Sequence, residues 1–127
     1  MGQKTKVLLI EDEDSIRQIY KDELDFAGFQ TDDFGMAKDG LAAFKNNYYD
    51  VVVLDIILLD MNGLDVLKEM KKDKQKKDIP ILLLTTITQD IIVKKGLALG
   101  AKAYLQKDLI TPDKLVGKIK EILHSIV

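Results

Sequence analysis

Four short apolar runs in this chain each stop on a residue that can do chemistry, and that spacing restricts the fold more than any other feature. Val7-Leu8-Leu9-Ile10 runs into Glu11-Asp12, and Val51-Val52-Val53-Leu54 runs into Asp55. Ile81-Leu82-Leu83-Leu84 ends in Thr85-Thr86, and Ala103-Tyr104-Leu105-Gln106 ends in Lys107. Near-continuous runs of this length read as strands buried on both faces. Phe29 to Phe34 alternates and reads as a weaker strand nearer an edge, and the strand through Leu82 is expected to begin at Ile79, with Pro80 in its first residues.

Segments of helical period separate the runs. Ile16, Ile19, Tyr20, Leu24 and Ala27 follow Ser15 and stop at Gly28. Leu41, Ala42, Phe44 and Lys45 mark a second helix, and Gly63 opens a third through Leu64, Leu67, Met70 and Lys71. A fourth is expected from Gln89 to Leu99, closed by Gly100. Thr111-Pro112 starts the last, Thr as N-cap and Pro in the first turn, with Leu115, Ile119, Ile122 and Ile126 along one face. Five strands alternating with five helices predict an α/β fold, a single parallel, doubly wound sheet. Right-handed crossovers put every strand C-terminus at one edge, where open α/β sheets build their sites. Glu11, Asp12, Asp55, Thr85 and Lys107 are therefore expected to converge.

At 127 residues the chain is expected to be one domain, residues 1–127. A net charge of −2 gives no domain-wide nucleic-acid footprint, and the absence of cysteine excludes disulfides and thiolate metal sites. Lys4 and Lys6 precede an apolar stretch that breaks at Glu11, too short for a signal peptide. Met1-Gly2 lacks the Ser or Thr that myristoylation wants where Lys6 stands. No run has membrane-spanning length, so a cytoplasmic protein without membrane contact is expected. The Lys71 to Asp78 run reads as a solvated helix end and loop.

Three crowded carboxylates repel: a pair about 4 Å apart costs on the order of 1 to 4 kcal/mol, depending on the effective dielectric. A cation or a functional demand must compensate. Hard oxygen ligands with open positions suit Mg²⁺, which also takes phosphate. Asp55 has apolar flanks on both sides, and a partly desolvated carboxylate can act as a nucleophile toward phosphorus. Lys107 and the Thr85 hydroxyl then have phosphoryl oxygens to neutralise.

Glu11-Asp12, Asp55, Thr85 and Lys107, with Tyr104 three residues before the lysine, resemble the receiver domain of bacterial two-component response regulators across essentially the whole chain. The resemblance implies a flavodoxin-like sheet of order 2-1-3-4-5. It implies that Asp55 is phosphorylated by a sensor histidine kinase or phosphotransfer protein. It implies that Mg²⁺ is held by Asp12, Asp55, the Ile57 carbonyl and, through water, Glu11. Thr85 and Lys107 would bind the phosphoryl group, and Tyr104 would turn inward with Thr85 as the switch. The surface of helix four, strand five and helix five would face the partner, with Ile91, Ile92 and Val93 partly supporting that. Such a domain catalyses its own phosphorylation and dephosphorylation without being a multiple-turnover enzyme. Its output is a downstream target protein or a fused domain, and stand-alone regulator and excised receiver remain alternatives.

Several positions depart from that family's pattern. Glu11 replaces the more usual Asp and keeps the charge. Leu59 stands where proline is frequent, and Thr86 is bulkier than the usual Ala or Gly. Asp108 replaces a proline, so a trans Lys107-Asp108 bond is expected, since a non-proline cis bond costs about 3 kcal/mol. Ile57 and Ile87 flank the expected site, at positions that by the resemblance tune hydrolysis, and two isoleucines there imply slow loss of the phosphoryl group. Glu13 and Asp14 read as helix-start acids, and His124 as a cation at a helix end.

Rival functions are weaker. An FMN-binding module on this fold needs a phosphate-cradling loop where Glu11 to Asp14 would repel phosphate. A haloacid-dehalogenase-like phosphatase would move the nucleophile to Asp12 and leave Asp55 unexplained. An adaptor that has lost phosphorylation would not need all five positions filled.

Overall fold

The computed structural model describes residues 4–87 and 89–126, with Ser125 and Ile126 as backbone only. The readings made at Met1-Gly2 and at the Ile126 side chain lie outside those residues. The element order is β1 (Lys6–Ile10), α1 (Asp14–Phe26), β2 (Gln30–Phe34), α2 (Ala37–Asn46), β3 (Val51–Leu54), α3 (Gly63–Lys71), β4 (Ile81–Thr85), α4 (Asp90–Ala98), β5 (Ala103–Gln106) and α5 (Pro112–Ile126). Every adjacent strand pair is parallel, in the order β2-β1-β3-β4-β5.

Strand period splits the apolar residues between two cores. Leu8, Ile10, Val52, Leu54, Ile81 and Leu83 pack with Phe44, Leu64, Leu67 and Met70 of α2 and α3. Val7, Leu9, Val51, Val53, Leu82 and Leu84 pack with Tyr20 and Leu24 of α1 and Leu115 and Ile119 of α5. Each fully buried Leu, Ile or Val contributes about 1.5–3 kcal/mol. Both faces of the sheet are thus covered by helices, which leaves the ends of the strands as its open edge.

Two glycines end helices as anticipated. After α1, Gly28 has φ 93°, with Gly28 N–H donating to the Asp25 carbonyl (3.0 Å) and Phe29 N–H to that of Leu24 (3.1 Å). Gly100 has φ 107° after α4 and closes the same pair of bonds to Leu97 and Gly96, both 3.1 Å. Both are the left-handed termination that favours glycine. The start of β4 differs from expectation: it begins at Ile81, not Ile79. Pro80 lies just outside because it has no N–H for the ladder, though its carbonyl still accepts from Val52 N–H at 3.0 Å.

Lysines cap the far end of the molecule. Lys76 Nζ donates to the carbonyls of Phe44, Lys45 and Asn47 at the end of α2. Lys71 Nζ donates to those of Lys77 (2.7 Å) and Ile79 (3.3 Å). The basic segment after α3 is a solvated helix end whose lysines satisfy orphan carbonyls.

Candidate functional site

Register brings the strand ends together. Ile10 pairs with Leu54, and Asp55 N–H donates to the Ile10 carbonyl at 3.1 Å, so Asp55 leaves the sheet beside Glu11. Thr85 pairs with Gln106, and Lys107 N–H donates to the Thr85 carbonyl at 2.9 Å. Among the described residues the buried polar or charged ones are Glu11, Thr31, Asp55 and Thr85, and three of these four stand at this edge. Burying them costs free energy unless partners are supplied.

Lys107 is the main partner. Its Nζ lies 2.8 Å from Asp55 Oδ2, forms an ion pair with Glu11 Oε1, and is 4.0 Å from Glu13 Oε1. Its side chain is only 7% exposed, so this is a desolvated cluster and not a surface bridge. Asp55 Oδ1 accepts from Ile57 N–H at 3.1 Å, and Glu11 Oε2 from Glu13 N–H at 3.0 Å. Burial pushes the Glu11 carboxyl up to about 7, and the Asp55 charge adds to this, while the Glu13 N–H and Lys107 oppose it. Burial alone would lower the Lys107 ammonium, but its bonds to Asp55 and Glu11 outweigh that and hold it charged.

Glu11, Asp12 and Asp55 each offer a carboxylate oxygen, all within 4.8 Å of one another. A single ammonium cannot balance this many carboxylates once they ionise. The donors are all oxygen, the residual charge is negative, and Asp12 is only half-buried, which fits a hard divalent cation with open positions.

The other expected residues fall as follows. Thr85 is fully buried, and its hydroxyl accepts from Ile87 N–H at a long 3.4 Å. That hydroxyl makes no hydrogen bond to the side chain of Asp55 or Lys107. Tyr104 packs against the α2/α3 core, and its hydroxyl is buried with no hydrogen-bond partner. Ile57 is half exposed, Ile87 is partly buried, and Thr86 is exposed beside an open cleft of about 310 Å³ that Lys107 and Tyr20 also line. No peptide bond among the described residues is cis, so Lys107-Asp108 is trans. Ile91 is exposed on α4, whereas Ile92 packs into the core.

Sequence patterning missed two polar anchors. Asp60 in the β3-α3 loop accepts from Ala37 N–H (2.9 Å) and Lys38 N–H (3.0 Å), capping α2 from afar. Arg17 of α1 donates to the Glu11 carbonyl. Its sequence signal was its isolation as the sole arginine.

Comparison with known proteins identifies the family and the fold. The family model described as the response regulator receiver domain matches residues 7–120. The chain belongs to that family. It is 34% identical over 119 residues to the response regulator SaeR of Staphylococcus aureus, covering 94% of this chain and 50% of that protein. It is 32% identical over 124 residues to the probable transcriptional regulator ycf27 of Porphyridium aerugineum, covering 98% and 50%. The chain thus spans about half the length of these curated relatives. Among solved structures, a CheY-like receiver domain from Methanospirillum hungatei superposes with a TM-score of 0.90 at 28% identity, covering 97% of this chain and 96% of that one. The chemotaxis response regulator CheY4 of Vibrio cholerae gives 0.88 at 30% identity, covering 94% and 99%. This receiver shares their five-stranded order and carries an acidic pocket that can hold a metal. No helix among its described residues is long and apolar enough to cross a membrane.

Proposed function

We propose that Asp55 accepts a phosphoryl group from the phosphohistidine of a sensor histidine kinase or phosphotransfer protein. The phosphorus–nitrogen bond breaks as the Asp55 oxygen–phosphorus bond forms, and the imidazole leaves. The observation that carries this is a buried carboxylate at a strand end, 2.8 Å from a buried ammonium and grouped with two further acids.

Asp12 and Asp55 would hold a Mg²⁺ directly, with Glu11 and the Ile57 carbonyl beside them. When bound, the ion neutralises phosphoryl oxygen charge that the acids alone would repel. Ile57 N–H fixes the Asp55 carboxylate plane. Lys107 is already charged and exchanges its carboxylate contacts for a phosphoryl oxygen. The Thr85 hydroxyl, weakly engaged by Ile87 N–H, turns its proton to another.

Tyr104 supports a switch. A buried hydroxyl without a partner costs about 1–3 kcal/mol, so its resting position competes with another rotamer. A shift of Thr85 toward the phosphoryl group opens space that re-weights the two. The α4, β5 and α5 surface, with Ile91 exposed on it, would carry the message to a target protein or fused domain. On this reading the protein is cytoplasmic and turns over only its own phosphoryl group.

Incubation with Mg²⁺ and acetyl phosphate, followed by intact mass measurement, tests the reading. One phosphoryl group is expected on the parent and none on Asp55→Asn; equal incorporation in both overturns it.

A further inference from the structure

The chain contains eighteen lysines and a single arginine, Arg17. All three limbs of its guanidinium are used. Nη1 donates to the Glu11 carbonyl at 2.8 Å, Nε to Asp33 Oδ2 at 3.0 Å, and Nη2 to Asp14 Oδ1 at 2.7 Å. The side chain is 18% exposed, wedged between α1 and the end of β2. The room for it comes from Gly35, where a Cβ would sit 2.7 Å from Nη1.

The Glu11 carbonyl belongs to the peptide unit whose other end is the Asp12 nitrogen. Fixing that plane fixes how the Asp12 side chain leaves the backbone. The preceding plane is fixed as well, because Glu11 N–H donates to the Phe34 carbonyl at 3.0 Å. Both planes that orient the Glu11-Asp12 pair are therefore pinned, one from β2 by the Phe34 carbonyl and one from α1 by Arg17. Asp33 aims the fork, while the pair with Asp14, an exposed carboxylate, adds little. A lysine could reach one of these acceptors, but its ammonium has no planar fork to hold the group in register.

We propose that Arg17 is a positioning residue for the cation site, acting from behind the acids and made possible by the missing Cβ at Gly35. It rests on the receiver reading, since it concerns the same Mg²⁺. Support behind metal ligands typically changes affinity by about 10–100-fold.

The test uses the full chain and Mg²⁺ alone, titrated while backbone amide resonances are followed. Variants are Arg17→Lys, Gly35→Ala, which keeps the arginine but displaces its guanidinium, and Val116→Ala, a truncation of a buried core residue on α5. Chemical denaturation is run on each. Arg17→Lys and Gly35→Ala are expected to weaken Mg²⁺ binding at least about tenfold. Val116→Ala should lose stability with its Mg²⁺ midpoint unchanged. Phosphorylation by acetyl phosphate should recover in the two Arg17-site variants at saturating Mg²⁺. Should Arg17→Lys not fold, Gly35→Ala carries the same comparison. An unshifted midpoint in the folded variants, or an equal shift in Val116→Ala, overturns the proposal alone. A parent that neither binds Mg²⁺ nor is phosphorylated overturns the receiver reading with it.

Discussion

Glu11 is a side chain whose charge state depends strongly on its surroundings. Its carboxyl sits at about 7 in the fold against an ordinary 4.5, because burial disfavours the charge. Its stabilising contribution is thus complete below about pH 4.5 and is lost as pH rises through about 7. In metal-free buffer the difference in unfolding free energy between Glu11→Gln and the parent is expected to grow in the variant's favour across that window. A flat difference would contradict the buried-acid account. Ile57 gives a second residue-scale expectation: Ile57→Asn should speed loss of the phosphoryl group severalfold by admitting water, read as decay of the phosphorylated mass. The acids and Lys107 were legible in the sequence because each terminates an apolar run. Arg17 was not, because its acceptors are a main-chain carbonyl at Glu11 and a carboxylate on β2, brought to it only by folding.

At the scale of elements, β1 to β5 and the five helices follow from apolar period and glycine stops, and only boundaries moved: Pro80 fell outside β4, β2 begins at Gln30 and not Phe29, and α4 runs from Asp90 to Ala98. What patterning could not show is how loops borrow partners. Met36 occupies the N-cap of α2 and makes no side-chain capping bond there. Asp60 supplies that function from 23 residues away, a pairing visible only after folding. Asp60→Ala is expected to cost about 1 kcal/mol in denaturant unfolding, and to loosen the loop that carries Ile57. Gly63, where α3 begins, is a stricter case. A Cβ there would collide with the Asp55 carbonyl and approach Ile56 Cα to 2.5 Å, both backbone atoms that cannot swing aside. Gly63→Ala should therefore lower both the unfolding midpoint and the acetyl phosphate labelling rate.

For the whole molecule, a site assembled from β1, β3, β4 and β5 ends exists only while the sheet is intact, so a cation held there would be linked to global stability. At a Mg²⁺ concentration of 100 times the dissociation constant the gain is about 2.7 kcal/mol, and a chelator should remove it. Asp12→Asn should blunt the Mg²⁺-dependent rise in melting temperature, and an undiminished rise would place the ion elsewhere. The lysines offer a view of the same assembly. Ammoniums of Lys71 and Lys76 are tied to backbone carbonyls, and that of Lys107 to buried acids. An amine-selective acylating reagent would mark the surface amines first and spare these three until their helices or strands let go. Lys71 and Lys76 then report on the frame, and Lys107 on the pocket, so one peptide map tells a loosened scaffold from a rearranged site.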